Sequence, residues 1–185
     1  MKIARKLLVL GAFAVTASLA AQPARPQTTA PTEQQLKAVF VFNFSHFVAW
    51  PQNSFATPSE PFAIGVLGGD AFAAELEEAV RDERVDTHPL VVRRLHSIAD
   101  IADCRILYID RSQGAGLERM LPQLQQRGLL TVSDMEGAAR QGVIIELASE
   151  KSRIRLVINP DSAHDAGLTI SSNLLRLAKV ARTGQ

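Results

Sequence analysis

Four histidines, one cysteine and a scatter of aspartates and serines are the side chains with which this chain could do chemistry. His46, His88, His96 and His164 stand far apart, and none belongs to the H-E-x-x-H pair of a zinc hydrolase. Asp161, His164 and Asp165 share one helical turn, a spacing that could hold a metal. Three such residues after an apolar run also make an ordinary solvated helix start, and no metal is expected there. For nucleophilic catalysis the chain has neither G-x-S-x-G nor S-x-x-K. Ser171 and Ser172 precede a helix, where hydroxyls accept from the free amides of the first turn. A small anion at that terminus is the alternative. Glu75, Glu77 and Glu78 lie on the polar side of an amphipathic helix, with no apolar setting to raise a carboxyl for acid catalysis. Gly65-x-x-Gly68-Gly69 lacks both the G-x-G-x-x-G spacing and the P-loop lysine, and reads as a tight strand-to-helix turn needing positive φ. The missing nucleophile constellation disfavours a hydrolase, and no cofactor is expected.

The elements that must position these residues alternate. Thr32 with Gln35 forms a capping-box pattern, and Leu36, Phe40, Asn43, Phe47 and Trp50 fall on one helical face up to Pro51. Phe62–Leu67 reads as a buried strand, followed by a helix over 71–80. Strands follow at 90–95, 105–109 and 129–133, with helices at 117–126 and 135–140 between them. This spacing implies right-handed crossovers and a largely parallel sheet with helices on both faces. Residues 143–147 and 153–159 flank a polar turn and predict a hairpin, with Arg153, Arg155 and Val157 on a wetter face. A last helix is expected over 171–180. The fold class is therefore α/β: a single domain over 33–182, with a mixed, mostly parallel sheet of about six strands. Asp70, Asp110 and Ser133, each after a strand, have the acidic-and-hydroxyl pattern of a phospho-receiver. The final strands place no lysine beside them, which leaves that likeness at the level of the fold.

Lys2, Arg5 and Lys6 precede an apolar run from Leu7 to Leu19, and Ser18-Leu19-Ala20 offers a cleavage site. The run falls short of the ~20 residues a spanning helix needs. It predicts an export signal over 1–20, and a disordered leader over 21–32 containing three prolines. The mature chain would keep 17 basic and 19 acidic residues. That balance argues against nucleic acid or an anionic membrane as the main partner. Cys104 is the only cysteine, so no internal disulfide can form. It reads as a small buried apolar residue, with an intermolecular disulfide or a reactive thiol as the alternative.

The unusual element is the first helix. Eleven of the fifteen residues from Leu36 to Trp50 are apolar, including Phe40, Phe42, Phe44 and Phe47. The apolar surface runs nearly round the helix, so one flank can be core while another meets a protein partner.

The segments LKAVFVFNFSHFVAWP, PFAIGVLGGDAFAAELEEA, HPLVVRRL, CRILYID, LLTVSD and RIRLVINPDSAHDAGLTISSNLLRLAKV resemble, in that order, the YfiR family of periplasmic proteins. The likeness covers about Leu36 to Val180. Its specific parts are Asn43-Phe44 with Trp50-Pro51, and Gly167-Leu168 with Ser171 and Leu174 to Ala178. The resemblance implies a non-enzymatic periplasmic regulator that binds the sensor region of an inner-membrane diguanylate cyclase, or of a sensor kinase, and restrains it. It further implies a homodimer, and release by an outer-membrane lipoprotein or by redox stress. Candidate partner-binding residues are Phe44, Phe47, Trp50, Ile170 and Leu174. Cys104 matches a cysteine of the family without a second cysteine here, so it is at most a redox candidate. The other expectation is a periplasmic small-ligand binding protein with its pocket near Gly68, Gly69 and Ser133.

Overall fold

Helix α1 (Glu33–Phe47) starts where the capping box predicts: Thr32 Oγ1 accepts from Gln35 N, and the Gln35 side chain accepts from Thr32 N. The computed structural model describes residues 30–184 except 102, 126 and 152. The expected export signal, and the leader before Ala30, lie outside the described residues. Helix α1 ends three residues before the expected stop, because Val48–Ala49 leave the helix as strand β1.

Beyond the loop at 51–61 come β2 (Phe62–Leu67), α2 (Asp70–Ala79), the short β3 (Arg84–Val85), β4 (His88–Leu95) and β5 (Cys104–Ile109). Then follow α3 (Leu117–Leu124), β6 (Leu130–Ser133), α4 (Ala138–Gln141) and the hairpin of β7 (Ile145–Glu150) and β8 (Arg153–Ile158). The chain finishes with α5 (Pro160–Asp165), β9 (Thr169–Ile170), α6 (Ser172–Leu177) and β10 (Lys179–Val180). Among the described residues the main sheet has eight strands in the order β10-β8-β7-β6-β5-β2-β4-β3, and six of them are the long runs expected from periodicity. From β4 to β7 neighbours are parallel, and β8 turns back antiparallel on β7. The last predicted helix is cut short, because Lys179 and Val180 join the sheet beside β8.

Two apolar layers flank the sheet. Phe62, Ile64, Val66, Ile106, Tyr108, Leu130, Val132, Leu147 and Leu156 face α1 and α2, with the Tyr108 ring stacked on Phe72 at 3.9 Å. Ala63, Leu67, Leu107 and Ile109 face α3, which contributes Leu117, Leu121 and Leu124. Gly65 sits on that second face for want of room: a Cβ there would lie 2.7 Å from Leu95 Cδ1 and 3.1 Å from Cys104 Sγ. Burial on α1 corrects the helical face expected from sequence. The inward stripe is Lys37, Ala38, Val41, Phe44 and Ser45, while Leu36, Phe40 and Asn43 are half-buried and Phe47 is exposed.

Candidate functional site

The two chain ends that carry the specific motifs meet in space. Strand β1 pairs antiparallel with β9, Val48 against Ile170 and Ala49 against Thr169, and Ser171 N donates to Phe47 O at 2.9 Å. The turn that delivers β9 is built by Gly167. Its φ of +71° suits glycine, its N–H donates to His164 O, and Leu168 N donates to Ala163 O, which together close α5 in a Schellman turn. Leu168 then buries itself against the core that holds Ala163. Ser171 caps α6 by accepting from Leu174 N at 3.3 Å. These motif residues thus weld the C-terminal segment to the end of α1.

The candidate contact residues separate by depth in this arrangement. Phe44 and Leu174 are buried in the core, so neither presents a surface to a partner. Trp50 is half-buried, donates from Nε1 to Arg105 O at 3.3 Å, and meets the Phe62 ring edge-on at 5.0 Å. Ile170 is half-buried in the β1–β9 ribbon. Phe47 stands out, 39% exposed, at the end of α1. Val39, two turns earlier on the same helix, and Leu177 on α6 (79% exposed) are further large apolar side chains at the surface. Cys104 is buried between the sheet and the α3 layer; burial pushes its thiol upward, toward the protonated, unreactive form.

At the strand ends near Gly68, Gly69 and Ser133, where a small-ligand pocket is the other expectation, the chain's own polar groups meet. Asp110 closes over the glycines, with its Oδ2 only 2.8 Å from where a Gly69 Cβ would lie, and its Oδ1 accepts from Ser112 N. The Ser133 hydroxyl is buried and donates to Ile109 O at 2.7 Å. Asp161 pairs with Arg182 at 3.5 Å and leaves His164 at the surface. Among the described residues no three His, Cys, Asp or Glu side chains converge as a metal site.

One ionic cluster escaped the reading of the sequence. Lys37 lies fully buried under α1, 2.8 Å from Asp134 Oδ2 at the end of β6, and 2.6 Å from Glu33 one turn earlier. Arg111, from the turn after β5, donates to the same Asp134 oxygen through Nε at 3.0 Å and Nη2 at 2.6 Å. Burial alone would raise the Asp134 carboxyl, but the hydrogen bonds from Arg111 and Lys37 outweigh it and hold the group below the ordinary carboxylate range. Asp134 Oδ1 and the Tyr108 hydroxyl are buried without a well-aligned partner. Burial first, and then the Asp134 charge, pushes the Tyr108 phenol far upward, so it stays protonated. The signal for this cluster was present on α1: Lys37 is one turn from Glu33 and on the same stripe as Ala38, Val41 and Phe44.

A second clasp fixes the loop after β1. Phe55 stacks on His88 at 3.9 Å, and the Arg105 guanidinium lies 4.7 Å from the centre of the Phe55 ring. Arg105 also pairs with Glu60 at 3.1 Å.

Compared with the curated proteins, the chain finds no match. The YfiR/HmsC-like family profile, however, matches residues 34–179, from the first turn of α1 to the start of β10. That span takes in both motif-bearing ends and the whole sheet between them, and the chain belongs to the YfiR/HmsC-like family.

Proposed function

We propose that this protein is a periplasmic regulator that docks on the periplasmic sensor region of an inner-membrane diguanylate cyclase and restrains cyclic-di-GMP signalling. Family membership is the observation that carries this reading. Phe47, an aromatic side chain left exposed at the end of α1, offers the apolar contact that this reading needs. Among the described residues no helix is long and apolar enough to cross a membrane, which fits a regulator that reaches its partner from outside the bilayer.

The mechanism is linkage. The protein binds the inactive sensor conformation better than the active one, so binding shifts the enzyme toward the inactive state. An outer-membrane lipoprotein that sequesters the regulator would reverse the shift. Phe47 makes the apolar contact, with Trp50 and Ile170 shaping its base, while Phe44 and Leu174 act from the core by holding α1 and α6. The regulator works as a homodimer without any cofactor.

The deciding experiment is capture from solubilised envelope with tagged mature protein, identifying retained proteins by mass. Retention of an inner-membrane cyclase or sensor kinase by the native protein, and its loss with a folded Phe47→Asp variant, is the expected result. An eluate free of membrane signalling proteins, with folded bait, overturns the proposal.

A further inference from the structure

We propose that the open side of β7, β8 and β10 is a binding site for a small organic anion, a carboxylate or phosphate ester, and that Arg111 relays its occupancy to α1. On the α3 side of the sheet, no helix among the described residues covers the strip formed by Ala148 and Val157, with Lys179 beside Val157 on the neighbouring strand. A groove of about 620 Å³ lies over this strip. That volume falls within the range of roughly 300–1,000 Å³ typical of small-ligand sites, and suits a metabolite-sized occupant.

The groove's lining carries four cationic and four acidic side chains, and they differ in how they are engaged. Glu146 lines it, but its two oxygens accept from Gly137 N and Ala139 N. Glu150 is paired with Arg155 at 3.5 Å, and Asp134 is held by Lys37 and Arg111. Glu136 is the one exposed carboxylate left over. Against it stand Arg140 and Lys179, which line the groove without an ion-pair partner among the described residues. Unpaired cations beside an apolar floor are the chemistry that recognises an anionic head on a short carbon body.

Arg111 makes the site more than a basic recess. Its side chain is 59% exposed while Asp134 beside it is 1% exposed, so the guanidinium is the solvent-reachable member of the buried cluster. Nε and Nη2 are committed to Asp134, and Nη1 remains to offer its N–H groups toward the groove. An anion that engages Arg111 shares it with Asp134, whose other cation is Lys37 of α1. Occupancy at one end of the sheet is thereby felt by the helix that carries Phe47. The anion site itself stands independently of the docking reading, and only the use of the relay rests on it.

The test is a titration of the mature protein with sodium glutarate and, separately, with inorganic phosphate, at constant ionic strength, followed by amide NMR and calorimetry. Saturable shifts at Arg140, Ala148 and Val157, with a concerted shift at Lys37, are expected for at least one anion. The Arg140→Ser/Lys179→Ser variant should bind at least tenfold more weakly with an unchanged melting temperature, since both side chains are exposed and unpaired. Absence of saturable binding for both anions overturns the site, as does equal binding by the double variant, which would signify diffuse attraction. Shifts confined to the groove overturn the relay. If the double variant loses a protein partner while the native protein binds neither anion, the face belongs to protein docking and the proposal fails.

Discussion

Lys37 Nζ lies 2.8 Å from Asp134 Oδ2, with both side chains out of contact with water. This pair joins α1 to the end of β6 across 97 positions of sequence. Removing one member of a buried pair leaves the other charge stranded in a low-dielectric site.

Lys37→Met is accordingly expected to cost about 2–4 kcal/mol, somewhat less than the ~3–5 kcal/mol of a fully stranded charge, because Arg111 still holds Asp134. Urea denaturation of the native and variant proteins measures it. A loss under about 0.5 kcal/mol, the size of an ordinary surface change, would show that the bridge holds nothing together.

The same carboxylate sets a pH dependence. Asp134 titrates below its unfolded value of about 3.9, so its contribution is fully present above that pH and is lost as pH falls through the lower folded value. In this range the unfolded chain binds more protons than the folded one, and stability therefore declines with acid. Asp134→Asn should melt lower than the native protein at pH 7 and show a flatter decline between pH 5 and 2. Parallel acid limbs in the two melting-temperature profiles would exclude Asp134 as their source.

Phe44 and Phe47 sit one turn apart and should respond oppositely to change. Phe44→Ala opens a hole in the core and is expected to cost about 3–5 kcal/mol. Phe47→Asp acts on a side chain already partly in water and should cost about 1 kcal/mol or less, while abolishing partner capture. Equal losses of stability in thermal melts would place Phe47 in the core as well.

Cys104 offers a chemical test of burial. Its thiol should react with a disulfide reagent at pH 8 at least a hundredfold more slowly in the native protein than in urea, since burial disfavours the thiolate. Rapid labelling of the folded protein would reopen a redox role.

Gly65 probes the layer behind the sheet. Gly65→Ala forces a methyl to within 2.7 Å of Leu95 Cδ1, and overpacking of this kind costs roughly 1–3 kcal/mol. Combining it with Leu95→Val should recover part of the loss in a denaturation series. Additive losses in the double variant would mean that the strain is relieved elsewhere.

The long strands were legible because each is an apolar run bounded by turn residues: Phe62–Leu67 before Gly68-Gly69, Arg153–Ile158 with arginines on its wet face. Two-residue strands such as Val48–Ala49 and Thr169–Ile170 carry no periodicity of their own, and only the tertiary pairing makes them strands. The apolar pattern of α1 therefore continues up to Pro51 although the helix stops at Phe47. Phe44 and Phe47 illustrate the same gap in the site: both are aromatic on an almost wholly apolar helix, and composition cannot say which one faces the sheet. Lys37 carries no local sign of its partner, which lies on a distant strand end, although its position on the Ala38–Val41–Phe44 stripe is legible.

The β1–β9 ribbon also governs the order in which this molecule can be completed. Val48 waits for Ile170, which arrives 122 residues later, and closing so long a loop costs about 2 kcal/mol more than closing one of ten residues. The sheet between them is made mostly of nearer neighbours and can assemble first. Until the final segment threads home, the last turn of α1 has no strand to hold it. A chain cut before Gly167 would thus keep most of its sheet but carry an unlatched first helix.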